Sequence, residues 1–524
     1  MRGELQNYRG YAANRVRAGL VVVWLAAAAA LAGCGKARGA SESGTVNFLI
    51  ESMPTNLDPR IGTDAQSQHL DGLIFDGLVA LDAEMNIVPD LAERWESPDP
   101  RTYVFHLRQG VKFHDGRALT SADVKFTFDS LMSGALNSLK RGTFPMLESV
   151  EAPDAATVVF HLSEPYASFV WNLTKMAVGI VPAGSGQGIA RNPIGTGPFR
   201  FVGMTTDEEI VLERNSGYFG GSPKIERVRF RVVPEAIVRA LELRKGTADI
   251  GGVTSLTPDM VVALEKEPGI AAEEQPGTQI AYIAFNFDDP ILAHREVRQA
   301  FAYATDRATM IRYLLRGQAR AAASLLPPNH WAYEPNVRQY NYDPAQAERL
   351  LDVAGFPRGP GGVRFHLTLK TSTEESARLL GQVLADQWKR VGVELDLRPL
   401  ESATFLSDVG RGSFQLYTFR WVGANDDPDI FDLVFSSKRM PPNGSNRGHY
   451  RNPALDPLLD RQSVEMDREK RKAILSEIQK IVAQDEPYIN LWYVDNVCVH
   501  RTRVVGIAVP PTGEYDFLEN AELK

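Results

Sequence analysis

RVRFRVVPEAIVRALELRKGTADIGGV, residues 227–253, reads as three pieces in succession. RVRFRVV is strand-like, with apolar residues alternating against arginines. Pro234 opens a helical segment, since its missing N–H is no loss in a first turn. Gly246 stops that helix, and the apolar run ADIGGV follows as a second strand. Strand, helix and strand in so short a stretch make a βαβ unit, the building block of parallel sheets.

The same vocabulary continues on both sides. YVFHL (103–107), TVVFHL (157–162) and RFHLTL (364–369) alternate like half-buried strands. Their spacing is irregular, so they are strands of one kind and not a repeat. Thr120 and Asp123 form a capping-box pattern ahead of a helix, and Ser372 with Glu375 repeats it before ESARLLGQVLADQWKRVG. That second helix aligns Leu380, Val383, Leu384, Trp388 and Val391 on one face. MDREKRKAILSEIQKIVAQ does likewise with Ile474, Leu475, Ile478, Ile481 and Val482. Such stripes are core faces, and strands alternating with them predict α/β lobes with substantial parallel sheet. GFPRGPGG (355–362) and RMPPNGSNRG (439–448) read as loops, too short to separate domains.

The N-terminus sets an expected compartment. Arg2, Arg9, Arg15 and Arg17 precede AGLVVVWLAAAAALAGC, an apolar run of about fifteen residues that ends at Cys34. A basic start, a short apolar core and small residues at its end predict a secretory signal over 1–33, shorter than the roughly twenty residues of a spanning helix. Leu31-Ala32-Gly33-Cys34 resembles a bacterial lipobox, which implies that Cys34 is lipidated and heads the mature chain. Several acyl chains on one cysteine give stable anchoring. Residues 34–44 are a polar tether. With Cys34 so occupied, Cys498 has no partner for a disulfide, and in NVCVHR it reads as a small buried hydrophobe. The leader carries four Arg and one Glu, so the net charge of −8 becomes −11 for the 491 residues that follow. An acidic body without a Lys/Arg tract excludes nucleic acid as partner. Its length suits two or three domains.

Four blocks then resemble one family in the order expected of it. They are LAERWESPDPRTYVFHLRQGVKFHDGRALTSADVKFTFDSL (91–131), NPIGTGPFRFV (192–202), AFNFDDPILAHREVRQAFAYATDRATMI (284–311) and DEPYINLWYVDN (485–496). Together they are similar to the peptide- and nickel-type solute-binding proteins of ABC importers, extracellular family 5. The resemblance implies a two-lobed periplasmic-binding-protein clamp of class II type, α/β throughout, with ligand enclosed between lobes. It implies a first lobe from 45–74, 195–280 and 490–524, an inserted subdomain over 75–194, and a second lobe over 281–489. The chain would cross between lobes near TQIAYIAFN and EPYINLWYV. Clefts between domains are common ligand sites, and hinge closure buries what they hold.

RWVGANDDPDIF (420–431) falls where the family delivers a loop into the cleft. Peptide-binding members carry an aspartate three residues after the tryptophan, as partner of the peptide's ammonium. Ala424 stands there instead. An enclosed ammonium needs a carboxylate, so either Asp426 or Asp427 serves from a shifted position or the ligand lacks the amine. Arg420 occupies a position where a small residue is common, and would favour an anionic group if it faced the cleft. Asp427 and Asp429, on either side of Pro428, equally suit turn and cap duty. Trp421 is the expected ligand wall, with Arg420, Asn425, Asp426 and Asp427 around it. Thr63 and Asp64, in RIGTDAQSQHL, are candidates from the first lobe. The serines and threonines of KTSTEESARLL fit caps better than contacts.

Catalytic motifs do not surface. GSGQG (184–188) fits neither a nucleophile elbow nor a phosphate loop. The adjacent Asp426 and Asp427 lack the separation that glycoside hydrolysis uses. No H-x-H or H-x-x-x-H pair appears among nine histidines, although His330 and His449, in loops, could meet a chelated metal. The expectation is therefore no enzyme, cofactor or resident metal. It is a lipid-anchored, monomeric extracytoplasmic receptor that passes a peptide or small molecule to ABC permease subunits. Alternatives are a ligand sensor of the same fold and a carrier of an anionic or metal-chelate solute.

Overall fold

The computed structural model describes residues 44–174, 178–423 and 426–524. The leader, Cys34 and most of the tether lie outside the described residues, as do Ala424 and Asn425. No described helix is long and apolar enough to cross a membrane.

A seven-stranded sheet assembles around Thr45–Ile50. Arg227–Val232 and Ile250–Val253 both run parallel to it, with Phe48 opposite Phe230 on one side and Ile250 on the other. The βαβ unit forms, but the strand from residue 45 lies between its two strands. Asn496–Arg501 sits antiparallel between Ile250–Val253 and Ile270–Gln275. Glu209–Arg214 and Phe199–Thr205 extend the opposite side. Phe48 packs on Phe230 and Tyr515, with ring centroids 5.1 and 4.6 Å away.

One expectation for the helix needs correction. Ala236–Lys245 begins after Glu235, so Pro234 precedes the cap and does not open the first turn. The carbonyls of Val233 and Pro234 each accept from Nη1 of buried Arg239 at 2.6 Å, which fixes the exit from the strand. Gly246 ends the helix at φ 75, the left-handed geometry that favours glycine.

The second sheet has six strands. Its order is Ala319–Ala321, Tyr488–Val494, Ile280–Phe285, Leu416–Trp421, Phe365–Ser372 and Val393–Leu400. Helix Glu375–Arg390 covers it with Leu380, Leu384 and Trp388 buried. The capping box predicted from Ser372 is absent. Ser372 stays in the parallel ladder opposite Leu400, and the helix starts after Glu374 without a side-chain cap. A strand bond satisfies the backbone that the cap would have freed. The Thr120–Asp123 box does form: the backbone N–H and hydroxyl of Thr120 both donate to Asp123 Oδ2, at 2.8 and 2.9 Å.

A third sheet of four antiparallel strands lies within 92–162. The look-alike strands Thr102–Leu107 and Thr157–Leu162 are neighbours there, Tyr103 opposite Phe160. They share a burial alternation because they share a core face, with Phe128 edge-on to Phe160 at 5.0 Å.

The chain passes from the seven- to the six-stranded sheet between Gln275 and Ile280 and returns at Asp495. The two crossings touch. A Cβ on Gly277 would fall 2.2 Å from the carbonyl oxygen of Val494. Arg320 clamps Asp495 at 2.5 Å.

Candidate functional site

Beside these crossings lies a cleft of about 890 Å³, walled by the seven- and six-stranded sides and by a small hairpin at 79–89. Residues 80–85 and Asp90 come from and flank the small hairpin Val79–Leu81 and Ile87–Pro89, with Thr174 bridged to Val79. Tyr218 and much of 506–520 come from the seven-stranded side, and Arg320, residues 327–329 and Tyr493 from the six-stranded side. Gln275, Pro276 and Gly277 supply the crossing itself. Among the described wall residues Arg320 is the only Arg or Lys, and Asp495 neutralises it. Tyr218 donates to Asp76 Oδ1 at 3.1 Å, and its phenol is pushed well up by burial and by that carboxylate.

None of the candidates from the sequence lies in this wall, but two border it. Asp426 is 1% exposed, beside the Thr278 hydroxyl and His330. Those residues follow Gly277 and Asn329 of the wall in sequence, which brings Asp426 near it. Burial pushes its carboxyl up to about 7, with the charge of Asp427 adding and the Thr278 hydroxyl opposing. Among the described residues the Thr278 hydroxyl is the only group drawn to the carboxyl, short of full hydrogen-bond geometry, and no cation acts on it. Trp421 ends its strand opposite Ile280, which faces Tyr493 of the wall on its other side. The indole lies nearly parallel to Tyr282 at 5.9 Å, and the Arg447 guanidinium sits 5.3 Å over it.

The other candidates have separate work. Arg420, one position from Trp421 on an alternating strand, is exposed. Asp427 Oδ1 accepts from Ser168 Oγ at 2.7 Å and from the Asp429 N–H at 2.8 Å. Burial and neighbouring Asp429 push its carboxyl up to about 6, against the pull of Arg471. Asp429 heads the helix Ile430–Phe435 without a side-chain cap bond and holds Gln462 and Arg471 instead. Asp64 caps Ala65–Ile74 by accepting from Ser67 N at 3.0 Å. Burial would raise its carboxyl, but bonds from Ser67 and Thr55 hold it below the ordinary value. Thr63 is exposed. Asn425 lies outside the described residues.

The histidines are engaged structurally. His330 accepts from Ala332 N at 3.1 Å, and burial drives its imidazole down to about 3. His449 Nδ1 meets Asp288 at 2.6 Å, and His114 Nε2 lies 3.0 Å from the Gly197 carbonyl. Among the described residues no group of three or more His, Cys, Asp or Glu could hold a metal. Cys498 is fully buried and its thiol is pushed well up by burial.

Tyr218, Tyr493, the 508–514 segment and Arg447 were not legible as site residues. Their partners come from remote segments, and PPTG (510–513) resembles any other turn.

Comparison with known proteins agrees with this architecture. The chain is 31% identical over 490 residues to the glutathione-binding protein GsiB of Pectobacterium atrosepticum, covering 91% of this chain and 93% of the relative. It is 27% identical over 509 residues to the dipeptide-binding protein of Escherichia coli K12, covering 92% and 95%. The structure of HbpA2 from Haemophilus parasuis superposes with a TM-score of 0.80 at 27% identity, over 92% of this chain and 100% of that one. The profile of the bacterial extracellular solute-binding proteins, family 5, matches residues 86–441, and the chain belongs to that family.

Proposed function

We propose that this protein captures a peptide or peptide-like small molecule in the cleft by hinge closure and delivers it to ABC permease subunits. In this reading it acts as a monomer held at the membrane by lipid on Cys34. Solute-binding proteins of this family are not enzymes, and they serve ABC transporters outside the cytoplasm. The observation that carries the finer reading is the cleft at the paired crossings, large enough for a small peptide and bounded by parts that only two strand connections join. Asp426 supports an amine-bearing ligand, since a buried carboxyl near the wall on which no cation among the described residues acts is where an ammonium would find its partner. Trp421 supplies an adjacent apolar surface.

The test is to purify the protein under mild conditions, denature it, and identify released solutes by mass spectrometry. Released peptides, with a smaller scattering radius in their presence, are expected. A tightly bound solute that leaves the radius unchanged would sink hinge closure. Release of only non-peptide solutes would remove the peptide assignment.

A further inference from the structure

We infer that Arg447 is the centre of an anion-binding subsite beside the cleft, shaped to hold a carboxylate of the carried solute against Trp421. The inference rests on the solute-carrier reading above and adds a chemical class to it.

Arg447 makes no ion pair among the described residues, and its buried Nη1 has no hydrogen-bond partner. Other buried arginines have a carboxylate or several carbonyls: Arg60 has Asp58, Arg298 the carbonyls of Leu292, Ala293 and Asp485, Arg471 has Asp429, and Arg239, whose Nε is also unpaired, has Glu51. A half-buried cation without a counter-charge is costly. Among the described residues the groups that act on Arg447 are phenols, with no carboxylate among them. The hydroxyl of Tyr417 is drawn to the guanidinium and the phenols of Tyr282 and Tyr488 to one another and to Tyr417, but none of these contacts has full hydrogen-bond geometry, and none supplies a counter-charge. Burial keeps the phenols of Tyr282 and Tyr488 neutral and so able to donate. The Trp421 Nε1–H is buried and also unpaired. Asn490, two residues past Tyr488, leaves its Oδ1 unpaired, but an amide can present either end.

These atoms form a frame that the packing already holds. Tyr282 stacks on Tyr488 at 4.4 Å, Tyr417 meets Tyr282 edge-on at 5.9 Å, and Trp421 closes the row. Several donors around one planar cation suit a planar, charged acceptor, and a carboxylate can take two guanidinium bonds at once. Ile280 links the place to the cleft, with Trp421 on one flank and the wall residue Tyr493 on the other. Arg447 and Trp421 are both only partly buried, so the subsite is not sealed.

The experiment uses the full chain and the variants Arg447→Met and Trp421→Phe, with acetate and alanyl-alanine, free acid or C-terminal amide, as probes. Acetate at constant ionic strength is expected to raise the wild-type melting temperature saturably and to leave Arg447→Met unmoved. The free acid is expected to bind wild type roughly tenfold more tightly than the amide, a preference that falls below about threefold in Arg447→Met. Trp421→Phe keeps the ring and loses the N–H, and should fall between. Circular dichroism establishes that each variant folds. Identical acetate responses in wild type and Arg447→Met, or none in either, overturn the subsite. If acetate reports Arg447 but no peptide binds, the subsite stands and the peptide reading falls. If acid and amide bind alike and acetate is silent, the carrier reading stands and the subsite falls.

Discussion

Ser168 Oγ donates to Asp427 Oδ1 over 2.7 Å, joining side chains 259 positions apart. Ser168 in turn receives Arg471 Nη2 at 2.9 Å, so one hydroxyl ties the segment after the four-stranded sheet to the helices of the six-stranded side. The nearby Ala167 N–H to Ser463 carbonyl bond, 2.8 Å, runs along the same seam.

Ser168→Ala should therefore cost about 1–2 kcal/mol, the worth of a hydrogen bond to a charged group. In a double-mutant cycle with Asp427→Asn, urea unfolding should report a coupling of about 1 kcal/mol. Strict additivity of the two changes would mean the bond contributes nothing.

Asp426 gives stability a pH dependence of definite sign. Its folded value, about 7, lies above the ordinary carboxylate value, so between the two the native state holds a proton that the unfolded chain has released. The contribution is complete at low pH and is lost as pH rises towards 7. A shift of about three units corresponds to about 4 kcal/mol. Glu486, pushed up to about 8 by burial against the pull of Arg307, Arg298 and Arg338, acts with the same sign. Unfolding free energies measured at about pH 5 and about pH 8 should diverge less in Asp426→Asn than in wild type. An unchanged difference would place the Asp426 pKa near its ordinary value.

Trp388 is the anchor of the helix Glu375–Arg390. It is fully buried, stacked on Phe301 at 4.1 Å, and donates to Thr305 Oγ1 at 3.1 Å. Trp388→Ala should lower stability by about 3–5 kcal/mol, through cavity and lost transfer energy together. Trp388→Phe should cost less and isolate the indole bond. Thermal unfolding of the two variants reads the difference directly.

Gly277→Ala tests the crossings. The added methyl would fall 2.2 Å from Val494 O, a backbone atom held between two sheets, so one crossing must move. A loss of roughly 1–3 kcal/mol is expected, as for overpacking elsewhere. Hydrogen exchange should show the change concentrated at 276–279 and 494–496. A uniform effect across the chain would contradict a local hinge origin.

Much of this architecture is written in short-range pattern. Thr102–Leu107 and Thr157–Leu162 announce their buried faces by alternation, and Gly246 announces a helix end, because each signal acts within a few residues. Ser372 misleads for the opposite reason: its cap pattern is intact, but a ladder with 393–400 claims the backbone first. The site was legible as a place and less so as chemistry. Trp421 and Asp426 stand out locally, whereas the partner of Asp427 is far upstream. The missing counter-charge of Arg447 is a fact about what three separate segments, around Tyr282, Tyr417 and Tyr488, bring near it.

The seven-stranded sheet has one more consequence. Its central strand comes from residues 45–50, and the strand between Ile250–Val253 and Ile270–Gln275 comes from 496–501. A nascent chain thus cannot complete this half until residues 496–501 exist, about 450 positions after its central strand, and loop closure over such separations is slow. Translation and transport of the polypeptide can run ahead of folding, which keeps the chain threadable until strand Asn496–Arg501 arrives.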